Sequence, residues 1–166
     1  MRVRDDEFVE FVQQCSLPLR RTAFLLCGDW HRAEDLVQTT LAKLFRAWSR
    51  VRKMEHREAY ARQVLMRTAI DESRRFWHRE RPSDSLPERA GPHVDSDLSL
   101  DLRRALAALP VRQRAALVLR HWEDLPIHEV ARVLRCTEGT VKSQSAKAIT
   151  ALRTMIGTDQ LLEGYQ

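Results

Sequence analysis

The sequence predicts an all-α protein of two small helical domains joined by a flexible linker, the second domain containing a helix-turn-helix. Three observations predict it. Apolar residues recur at three- and four-residue spacing on both sides of residues 81–100. Residues 81–100, RPSDSLPERAGPHVDSDLSL, hold three of the six prolines and no helical stripe. Neither a strand pattern nor an internal repeat is found. The predicted units are residues 1–80, the linker 81–100, residues 101–156 and a tail, 157–166.

Phe8, Phe11 and Val12 begin a first helix, which Pro18 is expected to separate from a second piece running through Phe24 to Cys27, with Gly28 as its stop. The segment Arg32–Val51 puts Ala33, Leu36, Val37, Leu41, Leu44, Phe45 and Trp48 on one face, a stripe wide enough to bury. Asp35, Gln38, Thr39, Lys43 and Arg46 fall elsewhere on that helix. A third long helix runs from about Glu58 to His78, with Tyr60, Ala61, Val64, Leu65 and Thr68 inward. Arg62, Arg67, Arg74, Arg75 and Arg79 make its basic surface.

Beyond the linker, Ile127–Arg153 carries two stripes: Ile127, Val130, Ala131 and Leu134, then Val141, Ala148, Ile149 and Leu152. They must face each other across the short turn Arg135-Cys136-Thr137, with small Ala131 at the close approach and Thr137 as N-cap. Glu138, Thr140, Lys142, Ser143, Gln144 and Lys147 remain outward on the early turns of the second helix, where a major-groove reader needs them. A helical hairpin with no DNA role is the alternative on periodicity alone.

Charge separates the blocks. Of the 28 Lys and Arg and 23 Asp and Glu, residues 1–80 hold 16 and 12, residues 81–100 hold 2 and 4, and residues 101–166 hold 10 and 7. Two basic modules flanking an acidic connector suit nucleic acid, because Lys and Arg neutralise phosphates and release counterions. No run is long enough to span a bilayer, so no membrane insertion is expected. The N-terminus MRVRDDEFVEF is acidic where a signal peptide is apolar, which points to the cytoplasm. Cys15, Cys27 and Cys136 have no zinc-binding spacing and read as buried or half-buried thiols. There is no phosphate-binding glycine loop, and the six histidines are scattered. Neither an enzyme, a metal nor a cofactor is expected.

Four strings resemble the bacterial RNA polymerase sigma factors of the extracytoplasmic-function type, in family order. They are AEDLVQTTLAKLFRAW at Ala33–Trp48, VLMRTAIDESRR at Val64–Arg75, ALAALPVRQRAALVLRHWEDLP at Ala105–Pro126 and TEGTVKS at Thr137–Ser143. The phrase SQSAKAITALR is similar to actinobacterial members of the SigE family.

The resemblance implies that residues 1–80 are region two, which binds core RNA polymerase at the clamp helices of the largest subunit and opens the minus-ten element. It implies that residues 101–156 are region four, which reads the minus-thirty-five element of promoter DNA and docks on the flap of the second-largest subunit. Asp35 and Gln38 match the family's D-L-x-Q string and so imply the polymerase contact; Thr39 stands where many members have Glu. The alternative for Asp35 is helix-dipole stabilisation near an N-terminus, which does not exclude the contact. Lys53, His56 and Arg57, in the stretch Arg52–Arg57, imply the minus-ten pocket, where unstacked bases need a cavity and a cationic track. Arg67 departs from the family's Asn beside the captured base. Arg74 and Arg75 imply contacts to the phosphate backbone, and Phe76 and Trp77 fit either base stacking or packing of a helix end.

In region four, Leu106, Leu109, Ala116, Leu117, Leu119 and Trp122 are the implied core. Arg135 replaces the usual turn Gly, Glu138 a small apolar residue, and Gln144 an Arg. Gln pairs with adenine where Arg favours guanine, which implies an altered base preference. The linker resembles the connector that threads toward the polymerase active site. An anti-sigma factor is the further partner left open. The alternative function is a stand-alone helix-turn-helix regulator, against which the AEDLVQ helix argues.

Overall fold

A computed structural model of the protein describes residues 2–77 and 100–157, and for 74–77 the backbone alone. The linker beyond Trp77 and the tail beyond Gly157 therefore lie outside the described residues. Every regular element among those described is helical: α1 Arg2–Cys27, α2 Trp30–Arg46, α3 Trp48–Val51, α4 Arg57–Trp77, α5 Leu100–Ala108, α6 Val111–Leu117, α7 Ile127–Leu134 and α8 Glu138–Ile156. A π-helical turn, Val118–Trp122, extends α6.

Pro18 does not interrupt α1, contrary to the sequence expectation. Proline has no N–H to give the carbonyl four residues back, which here belongs to Gln14. Gln14 and Pro18 both face solvent while Cys15 and Leu19 are buried, so the Gln14 carbonyl is left open to solvent and the buried face carries the helix through. The second predicted helix also differs. It starts earlier, at Trp30, because Asp29 accepts the His31 N–H at 2.9 Å as N-cap, and it breaks at Ala47 (φ −94°, ψ 8°) before α3. That break turns Trp48 fully inward, where its Nε1 donates to the Arg4 carbonyl at 3.1 Å. Phe45, expected inward, is 46% exposed and packs only one edge against Phe8, with centroids 5.0 Å apart.

Helices α1, α2 and α4 enclose Phe11, Leu19, Leu36, Leu44, Trp48, Leu65 and Met66. Helices α5–α8 enclose Leu106, Leu119, Val130, Val141, Ala148 and Leu152. Trp122, assigned to this second core, is instead 49% exposed. The reason is the π-turn: Glu123 N–H donates to the Val118 carbonyl, an i→i+5 bond that inserts a residue and rotates Trp122 off the buried stripe.

The two cores meet. Buried residues form one continuous cluster, with α5 against α1 and α7 against α4. Gly28 sits at this junction with φ +71°, and a Cβ there would lie 3.3 Å from the Ala107 Cβ, so the close approach and the left-handed backbone both call for glycine. Arg62 and Arg67 consequently lie half-buried rather than on an open basic surface.

Candidate polymerase and nucleic-acid interfaces

The helix-turn-helix is set by its turn. Arg135 ends α7 in the left-handed conformation (φ 54°, ψ 50°), and Thr137 caps α8 by accepting the Thr140 N–H at 3.1 Å. The Thr137 and Thr140 hydroxyls also pair at 2.9 Å, so Thr140 serves the cap. Val141 and Ala148 are buried against the rest of the unit, which leaves Glu138, Lys142, Ser143 and Lys147 exposed and Gln144 half-buried. A polar, cationic face thus projects from the first turns of α8.

On α2, Asp35 and Gln38 are exposed side by side, three residues apart. Thr39 is half-buried and its hydroxyl donates to the Asp35 carbonyl at 3.0 Å, so it contributes less to that face. Neighbouring Glu34 pairs with Arg20 at 2.6 Å. Behind the face, Lys43 donates to Thr68 Oγ1 at 3.0 Å and ties α2 to α4.

The stretch between α3 and α4 divides. Lys53 and His56 are exposed, whereas Arg57 lies over the Phe11 ring at 5.7 Å and Arg52 pairs with Glu7 at 2.7 Å. Arg67 points across the junction, its Nε 3.4 Å from the Val133 carbonyl and its Nη2 3.5 Å from that of Arg132. The structure does not bring Arg67 together with Lys53 and His56 as one open surface. Arg74 and Arg75 are helical, but their side chains fall outside the described residues.

Comparison with known proteins assigns each half of the chain to a family. Residues 11–79 match the Sigma-70 region 2 family and residues 99–152 match Sigma-70, region 4. The RNA polymerase sigma-E factor of Streptomyces coelicolor is 35% identical over 152 residues, covering 89% of this chain and 84% of the relative. The chain belongs to the extracytoplasmic-function sigma factors. SigV of Bacillus subtilis is 28% identical over 142 residues (85% and 86% of the two chains), and the extracytoplasmic-function factor SigM of Mycobacterium tuberculosis is 29% identical over 140 (84% and 71%). Among solved structures, the sigma factor RpoE of Bartonella quintana, in complex with the anti-sigma factor NepR, superposes with a TM-score of 0.71 at 27% identity, covering 92% of this chain and 98% of that one.

This sigma factor is therefore a transcription-initiation protein and not a stand-alone helix-turn-helix regulator. Sequence reasoning missed the residues that join the two regions. Glu123 accepts from Arg62 at 2.7 Å and from the buried Thr22 hydroxyl. Arg114 donates to the carbonyls of Leu26, Ala107 and Leu109, capping the ends of α1 and α5 together. Burial draws the Arg114 guanidinium below its ordinary range, and the same burial pushes the Cys27 thiol up to about 11. The only local signal was Trp122-Glu123-Asp124, an aromatic and two acids after an apolar run, which reads as an ordinary helix end.

Proposed function

We propose that this sigma factor recruits core RNA polymerase through Asp35 and Gln38 on α2, facing the clamp helices of the largest subunit, while region four docks on the flap of the second-largest. Glu138, Thr140, Lys142, Ser143, Gln144 and Lys147 read the minus-thirty-five element. Lys53, His56 and Arg67, with Arg74 and Arg75, serve the minus-ten strand. Arg57 has a supporting role, because its cation is spent on Phe11.

The observation that carries this reading is the pairing, on one chain, of the exposed Asp35–Gln38 face with the exposed polar face of α8. A protein that bound DNA alone would need only the second. An anti-sigma factor is a further partner of the same class as the one that holds the Bartonella relative. No described helix is long and apolar enough to cross a membrane, which accords with work in the cytoplasm on chromosomal promoters. The chain acts by binding, without catalysis of its own.

Reconstitution with core polymerase tests the proposal. Run-off transcription from a cognate promoter should depend on the added chain, and Asp35→Ala/Gln38→Ala should lose holoenzyme formation while retaining its helical circular dichroism. Core binding by the double variant equal to the parent would remove the assigned face.

A further inference from the structure

Region four ends in a cleft that none of the contacts proposed above uses. It lies between the start of α5 and the last turn of α8, holds about 350 Å³ and is lined by Asp101, Arg104, Ala105, Met155 and Ile156. Its floor is apolar, and its rim carries one charge of each sign. Met155 is 46% exposed, and Leu100, next to Asp101, is 45% exposed. Exposed apolar side chains are ordinary singly, but two beside one concave surface suit a docking site. Arg104 is exposed and has no ion pair among the described residues, so its guanidinium is open to an anionic group entering the cleft.

The chain itself supplies an occupant. Residues 158–166, TDQLLEGYQ, follow the cleft directly. Gly157 comes next after Ile156, its N–H donates to the Arg153 carbonyl, and at φ +84° and ψ 156° it turns the backbone out of the helix. Beyond its own helix, no described residue lies within 4 Å of the place a Gly157 Cβ would take, so the exit is open. The segment that follows combines Leu161, Leu162 and Tyr165 with Asp159 and Glu163, and it contains no Lys or Arg. From Gly157 to Leu161 is about 13 Å of extended chain, whereas Asp101 and Ala105 are about 6 Å apart along α5, so the reach exceeds the cleft. The apolar groups match the floor, and the acids match Arg104. A tether this short holds the segment at an effective concentration on the order of millimolar, an advantage that a second copy of the chain lacks.

We propose that residues 158–166 are an intramolecular ligand of region four: Leu161 and Leu162 seat in the cleft against Ala105, Met155 and Ile156, and Glu163 pairs with Arg104. So placed, the tail clasps the first helix of region four to its last. Helix α8 carries its polar face on the early turns, and Met155 lies about 12 Å beyond Lys147 along the axis, so the clasp steadies that helix from its far end. It also covers apolar surface on which a second copy would otherwise settle.

The test uses the full chain. With Tyr165 replaced by the photoreactive p-benzoylphenylalanine, irradiation should cross-link the tail within its own chain to α5 or to the last turn of α8, as located by peptide mass mapping. Leu161→Asp combined with Leu162→Asp removes the apolar match. It should speed amide hydrogen exchange in the last turn of α8 about tenfold, the scale of burying one leucine side chain, while the amides around the Thr137 cap keep their rates. Arg104→Glu should speed the same amides about threefold, the scale of one exposed ion pair, and adding Glu163→Arg should return them to the parent's rates. Arg104 is exposed, so its replacement leaves the helical circular dichroism intact. Cross-links joining two chains would give the cleft to a second copy and overturn the clasp. Cross-links confined to other elements, or parental exchange in the double Asp variant, would overturn it equally.

Discussion

Arg67 of α4 is electrostatically opposed by Arg135, the residue that ends α7: burial first, and then the Arg135 charge, draws the Arg67 guanidinium below its ordinary range. Arg135 also occupies the left-handed region at φ 54°, where a Cβ crowds the following carbonyl. A single position therefore combines backbone strain with like-charge repulsion at the junction between regions.

Arg135→Gly should stabilise the protein by about 1 kcal/mol, since relief of the left-handed strain outweighs the entropy glycine loses on folding. Urea denaturation measures it. A lower midpoint at unchanged slope would show that Arg135 contributes contacts worth more than the strain.

Asp35 and Gln38 are exposed, so replacing both with Ala should leave stability within about 0.5 kcal/mol. Core-polymerase affinity should fall by about 2 kcal/mol or more, the scale of an interface hot spot. Competition against an unlabelled parent chain for limiting core polymerase reads this directly.

Gln144 and Lys147 should separate base reading from phosphate contact. Gln144→Ala should cost about 1–3 kcal/mol on the preferred upstream sequence and relax one base position. Lys147→Ala should weaken binding on all sequences and reduce the salt dependence by about one counterion. Titrations over promoter variants at several salt concentrations distinguish them; equal losses everywhere would end the division.

The Lys53–Arg57 stretch should behave as two parts. Lys53→Ala/His56→Ala should impair transcription from duplex promoters more than from templates with a pre-melted minus-ten bubble, because the bubble removes an unstacking cost of a few kcal/mol. Arg57→Ala should instead lower stability by about 0.5–1 kcal/mol through loss of its position over Phe11. A stable Arg57→Ala protein with the same template-dependent defect would return Arg57 to the strand-binding group.

Alkaline pH should destabilise the fold through its thiols. Burial pushes both Cys15 and Cys27 up to about 11, so they stay protonated in the native state while the unfolded chain ionises from about pH 8.5. Their contribution is complete below that pH and is lost as pH rises through 11. Cys15→Ala/Cys27→Ala should flatten the fall in thermal midpoint over this window, and a parallel fall in both proteins would assign it elsewhere.

The helical class and the helix-turn-helix were legible in the sequence because their stripes answer to local periodicity. Val130 with Val141 and the Thr137 cap lie within a few turns of one another and need nothing from afar. Trp122 and Phe45 were misjudged because each lies at a break in that periodicity: Trp122 ends the π-turn, and Phe45 stands two residues before Ala47, where α2 stops. The exposed members of the candidate surfaces followed from the stripes by exclusion. The junction did not: Thr22 meets Glu123 across 101 positions, and neither spacing nor composition relates them.

Pro18 gives α1 a seam. Ahead of it the helix is clasped by its own region, through the Trp48 bond to Arg4 and the Arg52 pair with Glu7. Behind it, Thr22 and Leu26 answer to Glu123 and Arg114 of the other region. With no amide at Pro18 to bind the Gln14 carbonyl, the two halves share one hydrogen bond fewer where they join. Their amides can then exchange with solvent at separate rates, the trailing half recording how often the regions part and the leading half recording only the opening of its own bundle.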